Sequence, residues 1–240
     1  MGTLYIVGTP IGNLEDISAR ALDILRRASL IASENPPRTQ RLLARYDIHT
    51  PMARYTDAYH RQKKRRLAAI LAALDRGDVA LVSEAGMPGL SDPGYELVQA
   101  TLEQGLDVVP IPGPTALSAA LSVAGIPGER LAFLGFLPRT AAARRAELAA
   151  WVTWPHPIVA YEAPHRLLDT LADLADLFGD RTVAVCGELT KLYEQVLRGT
   201  PAGLLARFGP PSTKIGGLPP PRGEYTLVIS GSGSEPCWRS

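Results

Sequence analysis

The chain has 240 residues, 46% of them apolar, and a formal net charge of +1 at neutral pH. That apolar share can bury a substantial core, in one large domain or two small ones, and it excludes a disordered chain. A charge so near zero excludes a whole-molecule pull on polyanions, so any nucleic acid has to be caught by a local patch.

In chain order, Leu4 to Val7 reads as a strand and Ser18 to Ala28 as a helix with Asp16 near its cap. Leu30 to Ala32 reads as a short second strand. Helices follow over about Arg38 to Tyr46 and Lys64 to Leu74, then strand Val79 to Val82, helix Tyr95 to Gln104 and strand Val108 to Ile111. Such alternation implies an α/β fold with a mostly parallel sheet and helices on both faces. Thr115 to Val123 is small and apolar and predicts close packing. The pattern then continues through strand Leu131 to Gly135, a basic helix from about Ala142 and strand Ile158 to Tyr161. Helix Arg166 to Phe178, strand Thr182 to Gly187, helix Ala202 to Phe208 and strand Tyr225 to Ile229 complete it. Gly209 to Pro221 reads as a Pro- and Gly-rich loop. We place a boundary around Pro112 to Gly125, giving α/β domains over 1–114 and 115–231 and a flexible tail over 232–240. Two sheets joined there form a cleft, a common location for a small-molecule site.

Tight turns close several of these strands. Thr9-Pro-Ile-Gly-Asn13 follows the first; it is neither the Gly-x-Gly-x-x-Gly fingerprint nor a Walker motif, so neither NAD nor ATP is indicated. Ser83-Glu-Ala-Gly-Met-Pro88 follows another, with Gly86 free to adopt backbone angles closed to other residues and Pro88 and Pro93 stiffening the loop beyond it. Pro112-Gly-Pro114 supplies a second rigid turn. In an open α/β sheet, ligands sit at such carboxyl ends. Glu84 there can receive a ribose hydroxyl or attract a sulfonium, or it is a surface acid. In Tyr161-Glu-Ala-Pro-His-Arg166, Glu162 can orient a substrate hydroxyl and Arg166 can hold a phosphate bidentately, or the two form an ion pair. Gly187-Glu-Leu-Thr-Lys191 sets Glu188 and Lys191 at a similar rim.

Arg61-Gln-Lys-Lys-Arg-Arg66 opens a helix with cations that oppose the helix dipole. It is a solvated face or a phosphate contact. Cys186 and Cys237 lie far apart without metal-ligand spacing, which predicts no disulfide framework and fits a reducing cytoplasm. The first residues read as a strand and not as an export signal. No apolar run approaches the roughly 20 residues needed to cross a bilayer.

Together Thr9-Pro-Ile-Gly-Asn13, Val82-Ser-Glu-Ala-Gly86, Ser91-Asp-Pro-Gly94, Pro112-Gly-Pro114, Gly135-Phe-Leu-Pro138, Tyr161 to Arg166, Glu188-Leu-Thr-Lys191 and Arg222-Gly-Glu-Tyr225 resemble one family. It is the ribosomal RNA small subunit methyltransferase I group of the tetrapyrrole methylase-like (class III) S-adenosylmethionine-dependent methyltransferases. The resemblance implies two α/β domains with S-adenosylmethionine in the cleft between them, and a homodimer. It implies methyl transfer to the ribose 2'-hydroxyl of a 16S rRNA cytidine, the position numbered 1402. Cofactor contacts would then fall on Pro10, Glu84, Ala85, Gly86, Thr115, Ala116, Glu162, Leu189, Glu224 and Tyr225; the basic residues Arg38, Lys63, Lys64, Arg65 and Arg166 are the candidate substrate contacts. Glu34, Glu162 and Lys191 are the candidates to take the hydroxyl proton.

Two segments depart from the family. Its usual Ala-Glu-Asp-Thr-Arg-His-Thr reads Ser33-Glu-Asn-Pro-Pro-Arg-Thr39 here, and its Tyr-His-Glu-His-Asn reads Tyr55-Thr-Asp-Ala-Tyr59. Glu84 stands where Asp is usual, and the small helical C-terminal domain that relatives often carry has no counterpart in these residues. A methyltransferase acting on a tetrapyrrole or other metabolite, and a catalytically silent cofactor- or RNA-binding homologue, therefore stay open beside rRNA methylation.

Overall fold

A computed structural model describes residues 1–56, 60–208 and 220–233, and for residues 60–63 the backbone alone. The chain divides into two compact units, Met1–Thr115 and Ala116–Ser240.

The first unit is built on five strands: β1 (Leu4–Val7), β2 (Leu30–Ser33), β3 (Met52–Arg54), β4 (Val79–Val82) and β5 (Val108–Ile111). Their order is β3-β2-β4-β1-β5 and every described pair is parallel. Four helices interleave with them: α1 (Ala19–Arg27), α2 (Pro36–Arg45), α3 (His60–Leu74) and α4 (Tyr95–Glu103). Side chains alternate across a strand. Ala80 and Val82 therefore join α1 and α2 in one core with Ile24, Leu25, Leu42 and Leu43. Val79 and Leu81 join α3 and α4 in the other, with Ile70, Leu74 and Leu97. The sheet is thus covered on both faces, as a parallel sheet requires.

Local chemistry sets the helix starts. Ser18, not Asp16, caps α1, its Oγ accepting from the Ala21 amide at 3.1 Å; Asp16 instead ends a short 3₁₀ turn, Leu14–Asp16. Asn35 caps α2 and accepts from the Arg38 amide at 3.3 Å. Pro36 and Pro37 form the first turn of α2, where a missing amide hydrogen is harmless. The helix accordingly begins two residues before its predicted start at Arg38.

The second unit holds α5 (Ala116–Ala124), β6 (Ala132–Phe136), α6 (Ala141–Ala149), β7 (Ile158–Glu162), α7 (Leu167–Phe178), β8 (Val183–Gly187), β9 (Gln195–Gly199), α8 (Pro201–Arg207) and β10 (Tyr225–Ile229). Strand order is β6-β7-β10-β8-β9. Only β6 and β7 run parallel; β10 runs against both neighbours and β8 against β9. The expectation of a mostly parallel sheet fails here. A short turn returns β8 as β9, and antiparallel strands need no crossover helix between them.

Helices α6, α7 and α8 cover one face of this sheet through Leu148, Leu167, Leu171, Leu174 and Leu204. On the other face α5 lies over β10 and β8, with Ala120 and Ala124 fully buried. Its small side chains let it approach closely: the Cys186 Sγ lies 3.9 Å from the Ala120 carbonyl. Burial pushes the Cys186 thiol up to about 11. It is a packed, unreactive thiol, and Cys237 lies outside the described residues.

Candidate active site

In the first unit, β1 leads to α1 on one face of the sheet while neighbouring β4 leads to α4 on the other. Connections that part in this way open a crevice at the carboxyl ends of the two strands. The two loops there are tied together. Thr9 and Gly86 exchange backbone hydrogen bonds at 2.9 and 3.0 Å, an isolated antiparallel bridge across parallel strands. Gly86 adopts φ +86°, which favours glycine. The turn after β5 closes in from the other side. A Cβ on Gly113 would stand 2.8 Å from the Gly8 backbone, and one on Gly8 would stand 2.7 Å from Gly113. Only hydrogen fits at that crossing.

Carboxylates gather on this rim. The Glu34 Oε2 accepts from the Glu84 amide at 2.8 Å and so fixes the loop after β4. The Glu84 side chain in turn takes the Asn35 amide at 3.1 Å and the Arg38 guanidinium at 2.7 Å. Burial works to raise the Glu84 pKa, but Asn35 and Arg38 together bring it below the ordinary value. Asp92 behaves in the opposite way. Partial burial, and then the negative charges of Glu34 and Glu84, push it up to about 7 despite a hydrogen bond from Ser83. A small cavity of about 60 Å³ opens among Thr9, Pro10, Gly12, Arg38, Ser83 and Glu84.

Asp92 was not among the residues singled out by sequence reasoning, although its motif was. The signal available in the sequence was the glycine density of its loop, Gly86, Gly89 and Gly94; in the structure Gly89, Ser91 and Gly94 all have positive φ. Of the three only Ser91, at φ 62°, is strained by it, and strain of that kind gathers at functional loops.

In the second unit, Glu162 lies at the end of β7 and is 1% exposed. Its Oε1 takes Arg166 at 2.6 Å and the Ala163 amide at 2.8 Å, and its Oε2 takes the Thr170 hydroxyl at 2.6 Å. Arg166 also donates to the Leu137 carbonyl at 3.0 Å. Of the two arrangements the sequence left open, the structure holds the ion pair, with the Glu162 carboxylate and the Arg166 fork both engaged inside the second unit.

Beyond β8, Glu188 and Thr190 hold left-handed backbone, at φ 50° and 65°. Lys191 explains how the loop keeps that shape. Its ammonium sits 2.8 Å from both Glu188 and Glu224, and the Glu224 amide donates to Glu188 at 3.0 Å. Burial pulls the Lys191 pKa down, but the bonds and charges of its two carboxylates outweigh it and leave the pKa above normal. An amine so held favours its protonated form and braces the loop. Leu189 is buried beneath this loop, and the Tyr225 ring packs on Gly187 with its hydroxyl accepting from the Arg222 amide at 3.3 Å. Thr115 and Ala116 stand at the passage from one unit to the next.

Lys64 and Arg65 are exposed at the start of α3, whereas the Lys63 side chain lies outside the described residues, as do Asp57, Ala58 and Tyr59. No group of three or more His, Cys, Asp or Glu among the described residues is arranged to hold a metal ion. No helix among them is long and apolar enough to cross a membrane.

A doubly covered parallel sheet with a glycine crossing at its strand ends, followed by a mixed sheet, defines the class. The chain belongs to the Tetrapyrrole (Corrin/Porphyrin) Methylases, whose family model matches residues 3–204. In fold it is similar to a cobalt precorrin-4 methyltransferase (TM-score 0.64, 17% identity, covering 95% of this chain and 94% of that one). It is also similar to uroporphyrin-III C-methyltransferase from Thermus thermophilus complexed with S-adenosylhomocysteine (TM-score 0.61, 18% identity, 95% and 97% covered).

Much closer in sequence are proteins named ribosomal RNA small subunit methyltransferase I. That of Halalkalibacterium halodurans is 42% identical over 98% of this chain and 78% of its own length. That of Thermotoga maritima is 44% identical over 96% of this chain and 99% of its own.

Proposed function

We propose that the chain transfers a methyl group to the ribose 2'-hydroxyl of a cytidine in 16S rRNA of the small ribosomal subunit. Sequence identity above 40% along almost the whole chain to proteins named for that substrate carries the reading. Its methyl donor is S-adenosylmethionine, which supplies an electrophilic methyl group on a sulfonium cation. The donor set after β1, β2 and β4 suits such a cation. Glu34, Glu84 and Asp92 gather at the crevice and Arg38 offsets only one of them, while the peptide groups of Thr9, Pro10, Ala85 and Gly86 offer close main-chain contact. Thr115 and, in the second unit, Ala116, Leu189, Glu224 and Tyr225 are the other cofactor contacts of this reading. Arg38, Lys63, Lys64 and Arg65 hold substrate phosphates. The chain acts as a homodimer, so sedimentation should give close to twice 25.7 kDa. A cytoplasmic location follows from the substrate.

The residues have two tasks, alignment of the hydroxyl and removal of its proton. With Glu162 and Lys191 committed elsewhere, the carboxylates of Glu34 and Asp92 remain for the second. Asp92 works as an acceptor only once ionised, so methyl transfer is expected to rise with pH through about 7. Asp92→Asn should flatten that limb and lower the rate by about 10²-fold to 10⁴-fold. A pH-rate profile unchanged by the substitution would remove Asp92 from the mechanism.

The same group has a signature in stability. The folded chain keeps the Asp92 proton up to about pH 7, while the unfolded chain releases it near pH 4. Its contribution is therefore full at low pH and is lost as pH rises through 7. Asp92→Asn should narrow the difference in melting temperature between pH 5 and pH 8.

The acceptor is tested by incubating the protein with labelled S-adenosylmethionine and undermethylated small subunits, free 16S rRNA, or a metabolite extract. Label is expected in the RNA of the subunits. Label confined to the extract would favour a small-molecule acceptor.

A further inference from the structure

We infer that Phe136 and Tyr193 are stacking platforms for unpaired RNA bases, one at each edge of the second unit's sheet. The inference rests on the proposed rRNA methylation and goes beyond it in naming where the flanking nucleotides lie.

Turn corners ordinarily carry Gly, Asn, Asp, Ser or Pro. The turn between β8 and β9 is closed by the Glu194 amide donating to the Lys191 carbonyl at 3.1 Å, and its corner residues are Leu192 and Tyr193. They are 87% and 78% exposed. The base of this turn is rigid. Lys191 braces it between Glu188 and Glu224, and the Thr190 amide donates to the Glu194 carboxylate at 2.6 Å. A strained loop braced by these bonds thus holds an aromatic ring out into water.

Phe136 repeats the arrangement at the opposite edge of the same sheet. It closes β6 and is 59% exposed, with one side of its ring set edge-to-face on Tyr161 at 5.5 Å. Register places both rings at one end of the sheet, because Phe136 pairs with Tyr161, Glu162 with Tyr225, Tyr225 with Gly187 and Gly187 with Gln195. Four strand spacings separate β6 from β9, about 19 Å. Leu189, Glu224 and Tyr225, the second unit's proposed cofactor contacts, belong to the strand ends between them.

The exposed cations at this end suit a nucleic acid, while the Glu188 and Glu224 carboxylates beside them are paired with Lys191. Arg139 follows Phe136, and Arg222 precedes the middle strand β10; both are exposed and neither has an ion-pair partner among the described residues. Cations interleaved with exposed rings are what a single strand needs, one set for phosphates and the other for base faces. Because every base has a π-face, such rings grip the flanking nucleotides whatever their identity.

The test measures methyl transfer to undermethylated small subunits at saturating S-adenosylmethionine, with calorimetry of cofactor binding alongside. Tyr193→Ala and Phe136→Ala are each expected to raise KM for the subunit on the order of tenfold, and together on the order of a hundredfold. Cofactor affinity should stay unchanged. Tyr193→Phe should recover most of what alanine loses, and Leu102→Ala, another exposed apolar residue on α4, should have no effect. Melting curves will show whether Phe136→Ala disturbs the Tyr161 contact; Tyr193, facing water, keeps the test decisive in either case. If Tyr193→Ala leaves KM within twofold of an active wild type, this inference fails and rRNA methylation stands. If wild type itself places no label in RNA, both fail. Conversion of a dimer to a monomer by Tyr193→Ala would make the turn a subunit contact and overturn the stacking role.

Discussion

Arg166→Ala is expected to destabilise the second unit by about 3–5 kcal/mol, because it strands a buried carboxylate. Glu162 is 1% exposed, and Arg166 is its only cationic partner among the described residues. The amide of Ala163 and the hydroxyl of Thr170 satisfy lone pairs without neutralising the charge. Chemical denaturation of wild type and variant measures the difference. Replacing both partners, as Glu162→Leu with Arg166→Met, should recover much of the loss, since no unpaired charge is left behind. A phosphate-holding arginine behaves otherwise: its alanine variant would melt like wild type and show only a raised KM for RNA.

The second large effect is expected at Gly113. A methyl group there would stand 2.8 Å from the Cα, carbonyl carbon and oxygen of Gly8, all backbone atoms that no rotamer change can move aside. Gly113→Ala should therefore lower stability by about 1–3 kcal/mol. It should also displace the turns after β1 and β5, with methyl transfer falling on the order of hundredfold for a shift of about 1 Å. Gly77→Ala serves as the comparison. Its new methyl meets only Ser29 side-chain atoms, at 3.2–3.3 Å, and should stay within about 1 kcal/mol of wild type. Melting temperature and calorimetric affinity for S-adenosylmethionine read the two consequences separately. Full cofactor affinity in Gly113→Ala would show that the glycine crossing has no part in the site.

Much of this architecture was legible because of how parallel strands are buried. β1 and β4 are covered on both faces and appear, like edge strand β5, as short apolar runs ended by Gly or Pro turns. β3 and β9 escaped notice for the converse reason. β3 has three residues, and β9 carries Gln195 and Arg198 on an edge strand paired on one side only. The direction of β10 was also hidden, since a buried strand has the same apolar signature whichever way it runs.

At the site, the loops could be found from glycine and proline, but the partners of their charged side chains could not. Glu162 and Arg166 look alike in sequence whether they face a ligand or each other, and only burial decides for the ion pair. Lys191 and Glu224 are far apart along the chain yet meet at 2.8 Å because β10 enters beside β8. Asp92 owes its altered acidity to depth, to Glu34 from the end of β2, and to Glu84 earlier in its own loop.

The central claim is that this chain methylates a ribose oxygen of 16S rRNA, and the most direct measurement is the identity of the product nucleoside. Small subunits treated with the protein and S-adenosylmethionine are digested to nucleosides and analysed by mass spectrometry. The account requires 2'-O-methylcytidine to appear in proportion to enzyme. A methyl group found on a base or on no nucleotide at all, under conditions where the cofactor binds, would contradict it.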